Sequence, residues 1–181
     1  MSLLPIAIYG DEILRKKAKE ISNIDDNLVK LVKDMFDTMR NADGIGLAAN
    51  QVNIDRQIFI ADVSMLEGYE KFKPLIAINP KIISFSDEVV TIEEGCLSLP
   101  TLRADVVRPA ELKLKYLDLN EEEKEIEFEG FIARVIEHEF DHLMGKLIPD
   151  RVDEKTKKKL SNVLDNILKR QFETDYPINI K

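Results

Sequence analysis

Apolar residues recur at steps of three and four early in the chain: Leu28, Leu31, Val32, Met35, Phe36 and Met39. Lys30, Lys33, Asp34 and Asp37 fill the opposite face. That spacing predicts an amphipathic helix, capped by Asp25 or Asp26 and stopped near Gly44. Ahead of it, Leu3 to Ile6 reads as an extended lead-in, and Asp11 as the cap of a short helix through about Lys19, with Ile13, Leu14 and Ala18 inward. From Gln57 the period falls to two. Residues 57–63, 75–79, 81–85, 89–93, 103–107 and 111–117 read as strands, interrupted by Pro74, Asn79-Pro80 and Ser86-Asp87. The alternation is cleanest in 111–117, where one face is apolar and the other wet. Residues 125–129 carry charges at alternate positions, as suits an edge strand. The helical period then returns over 131–143, opened by Gly130 and ended by Gly145, and over 153–172, with Leu160, Val163, Leu164, Ile167 and Leu168 as its stripe.

Composition narrows the class. With 181 residues, 44% of them hydrophobic, the chain is long enough for one well-filled core. No internal repeat, low-complexity run or linker divides it, so residues 1–181 are expected to form one domain. A net charge of -8 disfavours a broad grip on nucleic acid, and no DNA partner is expected. The single cysteine, Cys96, rules out an internal disulfide and suits a reducing cytoplasm. No apolar run approaches the roughly 18 residues of a membrane span, and the first nine residues lack the features of a signal peptide.

The chemistry concentrates in His138-Glu139-Phe140-Asp141-His142, which holds the only two histidines. On a helix, imidazoles four residues apart leave the same face. This H-E-x-x-H arrangement lets two imidazoles hold a divalent metal while the glutamate acts as general base toward a metal-bound water. Phe131, Arg134, Val135, His138 and His142 share a face, an apolar wall leading to the imidazoles. Glu139 falls on the neighbouring face, where partial shelter would raise its pKa toward that of a useful base. A catalytic site needs a third protein ligand and an open position. Cys96, just past a predicted strand in Glu94-Gly95-Cys96-Leu97-Ser98, would complete a Cys-His-His set; Glu154 and Glu173 are rival carboxylates. The run Gly44-Ile45-Gly46-Leu47-Ala48-Ala49-Asn50-Gln51 follows a helix rather than a strand, which argues against a dinucleotide loop. Its small residues suit close approach of a backbone to a ligand or to another strand.

These three segments, in this order, resemble the three signature motifs of the peptide deformylase family, and the similarity extends from Leu14-Arg15 to about Asp150. The resemblance implies a hydrolase that removes the formyl group from N-formylmethionine at the start of new bacterial or organellar proteins. It implies Cys96, His138 and His142 as ligands, Glu139 as the catalytic residue, and the Leu97 backbone N–H and Gln51 amide as oxyanion donors. It implies one divalent metal, ferrous iron first, with zinc, nickel or cobalt as alternatives. The helical tail resembles the family's Gram-negative type, and the bacterial cytoplasm is the expected location.

Further roles follow as expectations. Ile45, Phe131, Val135 and the stem of Arg134 are expected to line the methionine pocket, and Gly46 to admit an extended substrate backbone. Glu94 and Asp141 are the nearby carboxylates that could steady the histidines, and the resemblance favours Arg108 as the bridge between them. Lys155, Lys157, Lys158 and Lys159 form a basic cluster that could contact ribosomal RNA near emerging chains. The competing classes are a zinc endopeptidase with a carboxylate ligand, a closed structural metal site, and a cysteine nucleophile with a histidine base. The fold class expected is α+β: antiparallel β-sheets packed around a central metal-binding helix, with a C-terminal helix.

Overall fold

A computed structural model describes residues 2–180. Its elements follow the order that the periodicities predict, a helix, a run of strands and two helices. Helix α1 spans Asp26–Asn41. The strands are β1 Gly46–Ala48, β2 Ile58–Ala61, β3 Leu75–Phe85, β4 Val89–Cys96, β5 Leu99–Pro109, β6 Glu111–Leu117 and β7 Glu123–Glu129. Helix α2 covers Gly130–Leu143 and α3 covers Glu154–Leu168. Single 3-10 turns occupy Glu12–Arg15, Ala49–Val52 and Ile148–Asp150.

Five strands form an antiparallel sheet in the order β1-β2-β3-β6-β7, and β4 and β5 form a separate two-stranded ribbon. The class is the expected one: antiparallel sheets with helices, and α2 at the centre. Strand β2 is buried on both faces, and its alternation assigns each face to a helix. Phe59 and Ala61 join Ala77, Leu112 and Leu114 under Ile132, Val135 and Ile136 of α2. Ile58 and Ile60 join Ile78 against Leu28, Val32, Met35 and Met39 of α1. A third cluster lies beneath the ribbon, where Leu99, Leu102 and Val106 meet Ile6, Ile8, Leu14 and Ile167.

Several boundaries differ from those expected, each for a local reason. The early helix stops at Arg15; Asp11 stands at its N-cap, but its side chain makes no capping hydrogen bond, and the carboxylate accepts from Ile8 N at 2.9 Å and from Arg170 at 2.7 Å. Helix α1 ends at Asn41, before Gly44, and Asp43 takes the left-handed conformation. Asn79-Pro80 does not break β3. The register shifts between Ile78 and Lys81, a bulge in which the missing N–H of proline is tolerated. Asn79, at φ 49°, secures the bulge by exchanging two hydrogen bonds of 2.8 Å with the Ile21 backbone. The ribbon strands run longer than 89–93 and 103–107, pairing from Val89 with Pro109 to Cys96 with Leu99. Helix α3 stops at Leu168, short of 172, and the chain turns back at Arg170 in the left-handed conformation.

Candidate metal centre

Helix α2 delivers both histidines to one side, as the four-residue spacing requires. Their rings stand edge to face with centroids 4.9 Å apart and Nε2 atoms 3.2 Å apart. The ribbon delivers the sulfur. Its register breaks between Gly95 and Cys96, where β4 turns through Leu97 and Ser98 into β5, and the thiol lies 3.2 Å from His142 Nε2. The ligand atoms of Cys96, His138 and His142 all lie within 4.8 Å of one another. Among the described residues this is the one cluster of three such side chains able to share an ion. One soft thiolate and two imidazoles form a donor set that fits a divalent transition metal. Burial lowers the His142 pKa well below its ordinary value, which favours the neutral ring that metal coordination requires.

Behind the histidines lies a buried ionic network. His138 Nδ1 meets Glu94 Oε2 at 2.9 Å. Arg108 donates to both oxygens of Glu94, at 2.7 and 3.0 Å, and to Asp141 at 2.6 Å. Burial opposes the Glu94 charge, but the hydrogen bonds from His138 and Arg108 outweigh it and hold the carboxyl well below the usual range. Asp141 touches neither histidine ring; it is clasped by Arg108 and by both nitrogens of an Arg151 fork. Arg134 donates to Glu94 and to the carbonyls of Val106 and Val90, so its charge is committed to the network.

Glu139 sits on the other flank of His138, 4% exposed, with Oε2 lacking any hydrogen-bond partner. Burial pushes its carboxyl up to about 7. Gly46 of β1 lies directly against it. A Cβ at that position would collide with Glu139 Oε1 and stand 2.8 Å from its carboxyl carbon. A Cβ at Gly95 would meet only the guanidinium end of Arg103, an exposed side chain that can move aside.

A cavity of about 580 Å³ opens onto these groups. Ile45, Gly46, Phe131, Arg134 and Val135 line it together with Gln51, Cys96, Leu97, His138 and Glu139. Gln51 accepts from Ala48 N at 2.8 Å, which turns its amide nitrogen toward Ser98 Oγ at 3.2 Å and Cys96 Sγ at 3.6 Å. Of the rival carboxylates, Glu154 opens α3 outside the cluster, whereas Glu173 reaches the cavity wall without joining the ligands.

Four contributors escaped the sequence reading. Arg151 clasps Asp141; Asn50 donates to the His142 carbonyl; Tyr69 accepts from Phe131 N at 3.1 Å, at the start of α2; and Tyr176 donates to the Leu97 carbonyl at 2.8 Å. Asn50 lay within a motif already singled out. The other three are ordinary polar residues with no local signal. Among the described residues, no helix is long and apolar enough to cross a membrane.

A family model of polypeptide deformylases matches residues 3–158. The chain is 46% identical over 176 residues to the peptide deformylase of Chlorobium phaeobacteroides strain BS1, covering 97% of this chain and 95% of that protein. It is 43% identical to that of Prosthecochloris aestuarii, with 97% and 94% covered. Among solved structures, peptide deformylase from Thermotoga maritima superposes with a TM-score of 0.79 at 41% identity, covering 84% of this chain and 99% of that one. The Legionella pneumophila enzyme gives 0.84 at 35% identity, with 94% and 98% covered.

Proposed function

The chain belongs to the polypeptide deformylase family, hydrolases that act on formylmethionine peptides, and from that premise we propose that it works as a metal-dependent deformylase with Glu139 as general base. The observation that carries this reading is the meeting of Cys96, His138 and His142 within 4.8 Å, beside a buried carboxylate at the wall of a cavity. We read residues 1–181 as one catalytic unit, working on nascent chains in the bacterial cytoplasm.

A divalent ion held by Cys96, His138 and His142 would polarise the formyl oxygen and make a neighbouring water more acidic. Glu139 takes a proton from the attacking water, and its raised pKa suits both that uptake and the later return. The Leu97 N–H and the Gln51 amide would donate to the oxygen on which charge develops. Glu139 then passes its proton to the leaving nitrogen, the carbon–nitrogen bond breaks, and formate and a free amine separate. Glu94, Arg108 and Asp141 hold the His138 ring and its helix in place from behind. Ile45, Phe131, Val135 and the aliphatic stem of Arg134 receive the methionine side chain, while β1, at the end of its sheet, pairs with the extended peptide at Gly46. Ferrous iron is the working metal, and zinc, nickel or cobalt fit the same donors. The lysines at the start of α3 provide a surface for ribosomal RNA.

An air-free preparation tests this directly, by elemental analysis and formate release from a formyl-Met dipeptide. One metal per chain with rapid formate release is expected. Cleavage of internal peptide bonds that survives Cys96→Ala would overturn the reading in favour of an endopeptidase.

A further inference from the structure

We infer that the segment after α3, residues 171–179, is a strap that sets the oxyanion donors of the site, with Tyr176 as the positioning residue. The inference rests on the reading of Leu97 and Gln51 as those donors. Tyr176 is half-buried in the cluster beneath the ribbon and donates to the Leu97 carbonyl at 2.8 Å across 79 residues of chain. Leu97 occupies the tight turn between Cys96 and Ser98, so a hydroxyl on its carbonyl restrains rotation of peptide groups within that turn. Residues 173–176 also form part of the cavity wall.

The strap is anchored beyond the cavity. Ile6 N donates to the Pro177 carbonyl at 2.9 Å, and Asn179 N donates to the Ile6 carbonyl at 2.8 Å, a short parallel pairing. The Asn179 side chain reaches Asn53 Oδ1 at 3.3 Å, and Phe172 and Ile178 pack on the same cluster. The N-terminal segment thus clamped is bonded on its other side to both donor loops. Ala7 N donates to the Gln51 carbonyl at 2.7 Å, and Tyr9 N to the Ser98 carbonyl at 2.9 Å. One end of the chain therefore steadies Leu97 directly, and steadies the backbones of Gln51 and Ser98 through residues 6–9. Donors act on a transition state only when held in advance where charge develops, and small misplacements cost rate rather than substrate affinity.

Tyr176→Phe removes one hydroxyl and keeps the ring. In the full-length, metal-loaded protein it should lower kcat for a formyl-Met dipeptide about tenfold, with KM changed less than about twofold and metal content unchanged. Amide hydrogen exchange at residues 97–99 should quicken, a change that loss of distant packing would not confine to this turn. Asn179→Ala, which loosens the strap away from the cavity, should move kcat and exchange in the same direction. Unchanged kcat together with unchanged exchange at 97–99 in Tyr176→Phe would overturn the inference, and so would a rise in KM at constant kcat. Failure of the wild-type chain to release formate would instead sink the reading of the site, leaving exchange to decide on the strap.

Discussion

Gly46 and Glu139 constrain each other at the scale of single residues. The carboxylate lies where a Cβ would stand, so Gly46→Ala should displace Glu139 while leaving the fold intact. A fall of about a hundredfold in kcat/KM, with a thermal midpoint close to wild type, is the expected outcome. Glu139→Gln tests the same group chemically. It preserves volume and removes the base, so metal content should persist while formate release drops by at least about a hundredfold. Near-normal turnover in that variant would exclude the proton-carrying role. The H-E-x-x-H and Glu94-to-Ser98 segments were legible in the sequence because spacing and residue type carry the chemistry locally. The requirement for glycine at position 46 was not, since it depends on a side chain 93 residues away in another element.

Elements were legible where one periodicity ran unbroken. Strand β6 matches its expected bounds, with Leu112, Leu114 and Tyr116 inward, because alternation there is uninterrupted. The pattern failed where tertiary contacts overrode local signals, as at Pro80, which a bulge absorbs within β3. Asp25 does cap α1, accepting from Leu28 N at 2.9 Å, and that hydrogen bond lowers its pKa below the ordinary 3.8. A carboxyl lowered in the folded chain contributes stability above its unfolded pKa and loses it as pH falls through the folded value. Asp25→Ala should therefore lower the thermal unfolding midpoint by a few degrees at neutral pH. The difference from wild type should vanish in strong acid. A gap that persists unchanged in strong acid would mean that the cap charge is not its source.

At the scale of the whole molecule, Arg108 ties β5 to β4 through Glu94 and to α2 through Asp141, joining the source of the thiol to the source of the imidazoles. Arg108→Ala would leave two buried carboxylates with weakened pairing. It should cost about 3 kcal/mol in denaturant unfolding and weaken metal binding by about tenfold to a hundredfold in a chelator competition. Unchanged metal affinity would reduce the network to structural support. Chelation of the native protein separates function from folding. The three apolar clusters are built without Cys96, His138 or His142 among their buried residues, so far-UV circular dichroism should be retained while activity is lost. Unfolding on chelation would instead favour a structural metal.

The sequence by itself determined the helical faces, the alternating strands and the histidine pair with its glutamate, because each is written in spacing along a few neighbouring residues; that the Cys96 thiol, rather than Glu154 or Glu173, meets the imidazoles was decided in the fold. Only the tertiary structure decided which distant groups meet. The clasp of Arg151 on Asp141, the fit of Gly46 against Glu139 and the return of Tyr176 to Leu97 arise when separate elements bury their faces together. Burial removes water as the alternative partner for these polar groups, so which residues pair is decided by folding of the whole chain rather than by local pattern.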